Sequence, residues 1–314
     1  MSRSSNDSLA VGVGTCDVAI GTRCRSWPKW AAYERVAGTI HRIARGRAHP
    51  GAAMRDEALG ERTPAGVATP PHQIREIDTA RHYTEDGALE ALGFVLADTK
   101  SASSVKHRAS VALDDFWGRH AILQGDFRGL RAKEIDEVAA AYFADTFGVD
   151  GNTMSIRWQV QPAGRALFAS ALPITLIDGI RAAGEAARLE IASVTLGLPQ
   201  MLNRVRSAIP SRSGLIFVAT DTLLHAVTIG NRGWAAYDTE RLFHRSADDA
   251  VMVADAARQI FERSAASRQS GSDIFLCGLL LDPAPFERSF ARIRVLPAYM
   301  SDAAPALTLM ELAS

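Results

Sequence analysis

No stretch of this 314-residue chain approaches the ~20 consecutive apolar residues that a membrane-spanning helix requires. Net charge is missing too. Lys+Arg and Asp+Glu both number 35, so no long-range field of one sign draws the chain to nucleic acid or anionic lipid. Cysteine is scarce. Cys16, Cys24 and Cys277 are scattered without metal-ligand spacing, which excludes a dense disulfide framework and fits reduced thiols, a Cys16–Cys24 bridge staying open. The start, Met-Ser-Arg-Ser-Ser-Asn-Asp, is polar and leads into no signal-peptide core. A Gly-x-Ser-x-Gly nucleophile elbow is also absent. What remains is 47% apolar and 22% charged residues, the composition of a soluble globular protein. The length suffices for two domains of ordinary size, and the expected location is the cytoplasm.

The C-terminal third has the clearest pattern. Leu215–Ala219 and Leu224–Ile229 are apolar β runs, and Gly230-Asn-Arg-Gly233 closes a hairpin onto Trp234–Tyr237. Val253, Ala256, Ala257, Ile260 and Phe261 then mark one stripe of a helix whose N-terminal dipole suits Asp248 and Asp249. Strand Ile274–Leu276, a short helix around Phe286–Phe290 and strand Ile293–Leu296 complete a β-β-β-α-β-α-β order. That order is the unit of ribonuclease-H-like folds, a mixed sheet with helical crossovers.

The middle of the chain reads as strands Ala109–Leu113 and Trp117–Leu123 around an Asp114-Asp115 corner, then an amphipathic helix over Arg131–Phe147 that Gly148 stops. Met154–Val160 alternates as a half-buried strand with Arg165–Ser170 as its partner. A helix over Ile174–Arg188, strand Leu189–Val194 and a helix from Pro199 to about Ala208 follow. Residues 131–188 thus form an αββα module inserted between strands of the first domain. Near the N-terminus, Leu9–Ile20 reads as strand, Gly turn, strand, and a helix passes through Ala88–Leu96. Tyr33–Ile43 fits a helix by periodicity and a third strand by topology. Arg47–Pro71 has no period and the composition of a mobile loop.

Together Leu9–Ile20, Val111–Leu123, the αββα module, Ile191–Arg206 and Leu215–Tyr237 resemble the pilus-assembly protein M family and the cytoplasmic domain of type II secretion protein L. The resemblance implies an α/β, actin-like ATPase fold of two ribonuclease-H-like subdomains, 1–205 and 206–314, with the module in the first. Active members of that superfamily carry Asp-x-Gly-[Ser/Thr] in the first phosphate loop. Here the Asp position falls on Gly12, while Gly14 and Thr15 remain. The second phosphate loop, Phe217–Thr222, lacks its leading Asp and its Gly, and the adenosine loop is reduced to Cys277-Gly278. The resemblance therefore marks Gly12, Gly14, Thr15 and Gly278 as a vestigial nucleotide site. Phosphoryl transfer depends on closely placed metal and charge, so the expectation is no hydrolysis, no metal and no required cofactor. A Gly turn can still hold the phosphate of ATP through its amides. The function implied is a non-enzymatic cytoplasmic scaffold of a type IV pilus or type II secretion-like platform, peripheral at the inner membrane through its partners. Its partner would be the cytoplasmic N-terminal peptide of a single-pass inner-membrane protein. The alternative is an ATP-binding protein or ATPase of the same fold. The chain ends at Met310-Glu-Leu-Ala-Ser314 with no membrane helix, unlike secretion protein L. A homodimer is compatible with all of this.

Several residues admit ordinary readings as well. Gly12-Val-Gly14-Thr15 fits a plain hairpin turn. Asp114 and Asp115, adjacent on a strand, would face opposite ways at a solvated corner. His120 and His225 sit in strand patterns. Ser170, His225 and Asp238 make a triad only on paper. Trp117 and Trp158 fit core or groove wall. The strands Met154–Val160 and Arg165–Ser170 offer either an open edge for an extended peptide, with Trp158 or Phe168 as its apolar pocket, or two faces buried against the first domain.

Overall fold

Alternation of large and small side chains organises the first sheet. In β1 (Ser8–Val13), Leu9, Val11 and Val13 enter one apolar cluster while Ala10 and Gly12 face away from it. In β2 (Asp17–Thr22), Val18 and Ile20 join that cluster and Ala19 and Gly21 do not. One face can therefore carry bulky helices, and the other can be approached very closely. The computed structural model that displays this describes residues 8–22, 72–99, 107–209, 213–230, 233–242, 249–264, 273–278, 281–296 and 304–313. Cys24, Tyr33–Ile43, Arg47–Pro71 and Asp248 lie outside the described residues.

β3 (His72–Glu76) pairs antiparallel with β2 and takes the third place in the meander. α1 (Glu85–Asp98) starts at Thr84, whose hydroxyl accepts the Gly87 amide at 3.2 Å. β4 (Arg108–Leu113) lies parallel to β1, and its outer neighbour β8 (Glu190–Leu196) lies parallel to it. The sheet order is β3-β2-β1-β4-β8. Between β4 and β8 come β5 (Arg119–Gln124), α2 (Ala132–Phe147), β6 (Met154–Val160), β7 (Ala166–Pro173) and α3 (Ile174–Ala186).

These intervening elements divide differently from the αββα expectation. β5 is drawn out of the main sheet and pairs with β7, giving a small sheet β5-β7-β6 against which α2 packs through Ile135, Ala139 and Phe143. Helix α3 turns its stripe Leu176, Ile177 and Ile180 into the cluster under the main sheet, beside α1. The module is thus β-α-β-β, beginning one strand earlier and ending before α3. A helical stripe specifies burial but not which sheet receives it.

α4 (Gly197–Val205) leads to the second sheet, β9 (Gly214–Ala219), β10 (Leu223–Gly230), β11 (Gly233–Arg241), β12 (Asp273–Gly278) and β13 (Ile293–Val295). Its order, β11-β10-β9-β12-β13, repeats that of the first: an antiparallel meander of three, then two parallel strands. The strands at Leu215, Leu224 and Trp234 share this one sheet, as the sequence requires. α5 (Ala250–Arg263), capped by Asp249 through the amides of Val251 and Met252, and α6 (Ala284–Ser289) cover its outer face. α7 (Pro305–Leu312) returns to the first sheet and, with α4, fills the layer between the two sheets. Both sheets belong to one compact unit. Among the described residues no helix is long and apolar enough to cross a membrane.

Candidate functional site

Gly12 is where α7 meets β1. A Cβ there would run into the Ala306 carbonyl and the Met310 amide, so the residue type is dictated by close approach of helix backbone to strand. Gly14 lies in the hairpin turn that joins β1 to β2, its amide donating to the Asp17 carbonyl at 2.9 Å. Thr15 is buried, and its carbonyl accepts the Tyr83 amide at 3.1 Å. Trp117, on a one-turn 3-10 helix (115–117) rather than a strand, pins this turn by donating its indole N–H to the Gly14 carbonyl at 3.3 Å. Gly278 ends β12 with φ of 102°, and a Cβ there would strike the Ala219 carbonyl of β9. Of Gly12, Gly14, Thr15 and Gly278, the first and last are thus kept small by neighbouring backbone, and the middle two are tied into the turn by main-chain hydrogen bonds. The first three share one hairpin, and Gly278 sits against the strand that leads into the opposite turn.

Carboxylates gather around this point. Asp17 is buried; one oxygen accepts the Ala306 amide of α7 at 3.4 Å, and the other has no hydrogen-bond partner in the structure. Burial pushes its pKa up to about 6. Asp114 accepts from the Phe116 amide at 2.8 Å and from the Thr222 hydroxyl of the second sheet's turn at 3.1 Å. Burial, and then the neighbouring Asp115, raise it to about 7. The space left between Asp114, Thr220, Asp221, Pro305, Thr308 and Leu309 is about 10 Å³, whereas ligand pockets typically occupy roughly 300–1,000 Å³. Among the described residues no three His, Cys, Asp or Glu side chains group as metal ligands.

Asp114 gives a pH prediction. Its folded value lies above the ordinary carboxylate value, so between about pH 4 and pH 7 the folded state holds a proton that the unfolded state has released. Stability from this group is full at acid pH, falls through that window as pH rises, and is flat above it. His225, lowered to about 4 by burial, acts oppositely and adds stability as pH rises from about 4 to 6.5. Asp114→Asn removes only the first contribution. The unfolding free energy from urea titrations should therefore fall less in the variant than in the wild type between about pH 5 and pH 7.5, by on the order of a few kcal/mol. Parallel slopes would show that the carboxyl carries no extra proton.

Asp114 and Asp115 are not at a solvated corner. The 3-10 turn folds them between the sheets, where each is satisfied by amides. Asp115 accepts the Leu198 amide of α4 at 2.8 Å through one oxygen and His120 Nε2 at 2.7 Å through the other. His120 Nδ1 lies 2.8 Å from the Ser170 hydroxyl. His225 stands 3.8 Å from Asp115 and pairs its Nδ1 with the Tyr237 hydroxyl at 3.0 Å. The Ser170–His225–Asp238 arrangement does not exist: Ser170 pairs with His120, and Asp238 pairs with Arg263 at 2.7 Å at the surface. Ser170 sits in mid-strand, and its neighbours pair on both sides with β5 and β6. The arrangement is a buried polar tie joining the small sheet, α4 and the second sheet. Sequence spacing carried no signal for it, since its members come from separate elements.

Ser170 also opens onto a groove of about 490 Å³. One wall is β6 and β7, the other is β8, and α3 and α4 close the ends through Ile177, Arg181, Pro199 and Gln200. β6 and β8 are terminal strands of their sheets among the described residues. Both residues expected to form a peptide pocket line this groove. Phe168 is buried, 9% exposed, and roots in the cluster between the sheets. Trp158 is half-buried and leans on α2, its indole N–H donating to Asp136 at 2.6 Å, so it reaches the groove only from the edge of the small sheet.

No protein-family model matches this chain, and no curated protein does. Among solved structures it is similar to the PilM-PilN type IV pilus biogenesis complex, with a TM-score of 0.59 at 10% identity over 98% of this chain and 97% of that one. A Bacteroides thetaiotaomicron protein of actin-like ATPase fold and unknown function aligns over 93% and 91% of the two chains, with a TM-score of 0.50 and 6% identity. The cytoplasmic domain of EpsL, an inner membrane component of the type II secretion system of Vibrio cholerae, covers 98% and 94% at 9% identity with a TM-score of 0.44. The architecture is the actin-like ATPase fold that the sequence predicts.

Proposed function

We propose that this chain is a non-enzymatic cytoplasmic scaffold of a type IV pilus or type II secretion-like assembly platform, held peripherally at the inner membrane by its partners. Its working site is the groove between β6–β7 and β8, which receives the extended cytoplasmic N-terminal peptide of a single-pass inner-membrane protein. The observation that carries this reading is that β6 and β8, each terminal in its sheet among the described residues, line one cavity together. Unpaired edge amides and carbonyls accept an added strand, and side-chain pockets then select it. The filled cleft supports the other half of the reading. The backbone of α7 lies directly over Gly12, the position that the pattern of active members gives to an Asp, and the space beside Asp114 and Thr220 is about 10 Å³.

Two measurements test it. A labelled N-terminal peptide of a co-encoded single-pass membrane protein should bind in the micromolar range, roughly −8 kcal/mol. Ser193→Trp, a bulky substitution on the exposed face of β8 within the groove, should abolish that binding without unfolding the chain. The purified protein should show no ATP turnover above background. Peptide binding untouched by Ser193→Trp, or turnover that Thr15→Arg abolishes, would overturn the proposal.

A further inference from the structure

The side chains that line the groove carry charge of one sign only. Arg157 enters from β6 and Arg181 from α3, while Ser155, Gln159, Ser170, Ser193, Thr195 and Gln200 supply neutral polar groups. No Asp or Glu is among the lining residues, although the chain as a whole is neutral. Both guanidinium groups have capacity to spare. Arg157 is exposed and donates to the carbonyl of its own neighbour Ile156 at 3.1 Å, and Arg181 holds a solvent-exposed ion pair with Asp178 at 3.4 Å. An exposed pair of that kind contributes little and exchanges readily for a better partner.

Ser170 adds a second element of selection. It lies directly across from Arg157 in the β6–β7 register, so the two side chains share one face. Asp115, as a carboxylate, offers only acceptors, so His120 Nε2 carries the proton between them. His120 Nδ1 then holds the Ser170 Oγ from the inside at 2.8 Å, and a hydroxyl oxygen keeps a free lone pair in either tautomer of the ring. What Ser170 shows the groove is a lone pair, suited to a peptide N–H. Acceptor and cation stand side by side, with the Phe168 ring next along β7 on the same face.

Resting on the groove reading above, we propose that the occupant is an extended segment bearing an acidic side chain, its carboxylate taken by Arg157 and Arg181 and its flanking apolar residue by the pocket at Phe168. Carboxylate recognition by a guanidinium fork is directional and charge-assisted, so it sets register as well as affinity.

The test uses the full chain as bait for a displayed library of random nine-residue peptides. Enriched peptides are then synthesised and measured by fluorescence anisotropy against wild type, Arg157→Ala, Arg181→Ala and Ser193→Trp. The expected result is enrichment of Asp or Glu beside an apolar residue. Each Arg→Ala variant should lose roughly 3- to 30-fold in affinity, and a peptide with its acid changed to Ala should lose the same amount without further loss on the Arg variants. Peptides that Ser193→Trp excludes but that lack an enriched acid, or that ignore both arginine substitutions, would overturn the acidic-ligand inference and leave the groove standing. No enrichment, or binding that Ser193→Trp does not affect, would overturn both.

Discussion

Replacing Gly12 by Asp, the residue that active members of this fold carry in the first phosphate loop, is expected to destabilise the protein by about 3 kcal/mol or more and to create no ATPase. The reason is steric. The Ala306 carbonyl and Met310 amide of α7 stand where the new Cβ would go, and both are backbone atoms that cannot turn aside. Overpacking of a close-packed site costs about 1–3 kcal/mol when side chains can yield, and more when they cannot. A carboxylate would add the desolvation of a charge beside the already buried Asp17. Urea unfolding should show the loss. Hydrogen exchange should show α7 (Pro305–Leu312) losing protection before either sheet, because its seat on β1 is the disturbed contact. A Gly12→Asp protein of wild-type stability, with α7 still protected, would mean that the small-residue face is incidental.

Asp115→Ala should cost a comparable amount, on the order of 3–5 kcal/mol, by a different route. Its two oxygens satisfy the Leu198 amide and His120 Nε2 in a site where Asp115 is 2% exposed. Truncation orphans two buried donors at about 1–3 kcal/mol each and leaves a small cavity. Asp115→Asn should be milder. The amide can still accept at one position, and His120 can move its proton to Nδ1 and hydrogen-bond through Nε2. Thermal unfolding should therefore rank Ala well below Asn. Equal losses in the two variants would show that volume, not hydrogen bonding, holds this corner.

The second sheet is legible because its strands announce themselves as apolar runs between turn residues, and because α5 carries an unbroken stripe from Val253 to Ile260. The first sheet is harder, for reasons that individual residues make plain. All five residues of β3 are exposed, so this edge strand has no apolar pattern to detect. The Asp114–Asp115 reading assumed strand geometry, in which neighbours face opposite ways. A 3-10 turn instead carries both carboxylates inward. Gly12 reads as erosion of a phosphate loop when only local sequence is considered. Its actual constraint, α7, is remote in the chain. The stripe of small residues Ala10, Gly12, Ala19 and Gly21 is a signal of close helix approach, and Pro305 marks the start of the helix, α7, that makes it. The groove is legible in part: Phe168 and Trp158 do line it. The opposite wall, β8, required the fold, since nothing in the sequence near Ser193 points to residues on β6.

Backbone amide titration of one labelled sample, first with the N-terminal peptide of a co-encoded single-pass membrane protein and then with Mg–ATP, separates a peptide-reading scaffold from a nucleotide-binding protein. Peptide is expected to move amides of β6, β7, β8 and α3, and ATP at millimolar concentration to move none in the hairpin at Gly14–Asp17, at Asp114–Asp115 or at Thr220–Thr222. Saturable ATP shifts in those three turns, with the groove amides unmoved by peptide, would contradict the scaffold reading.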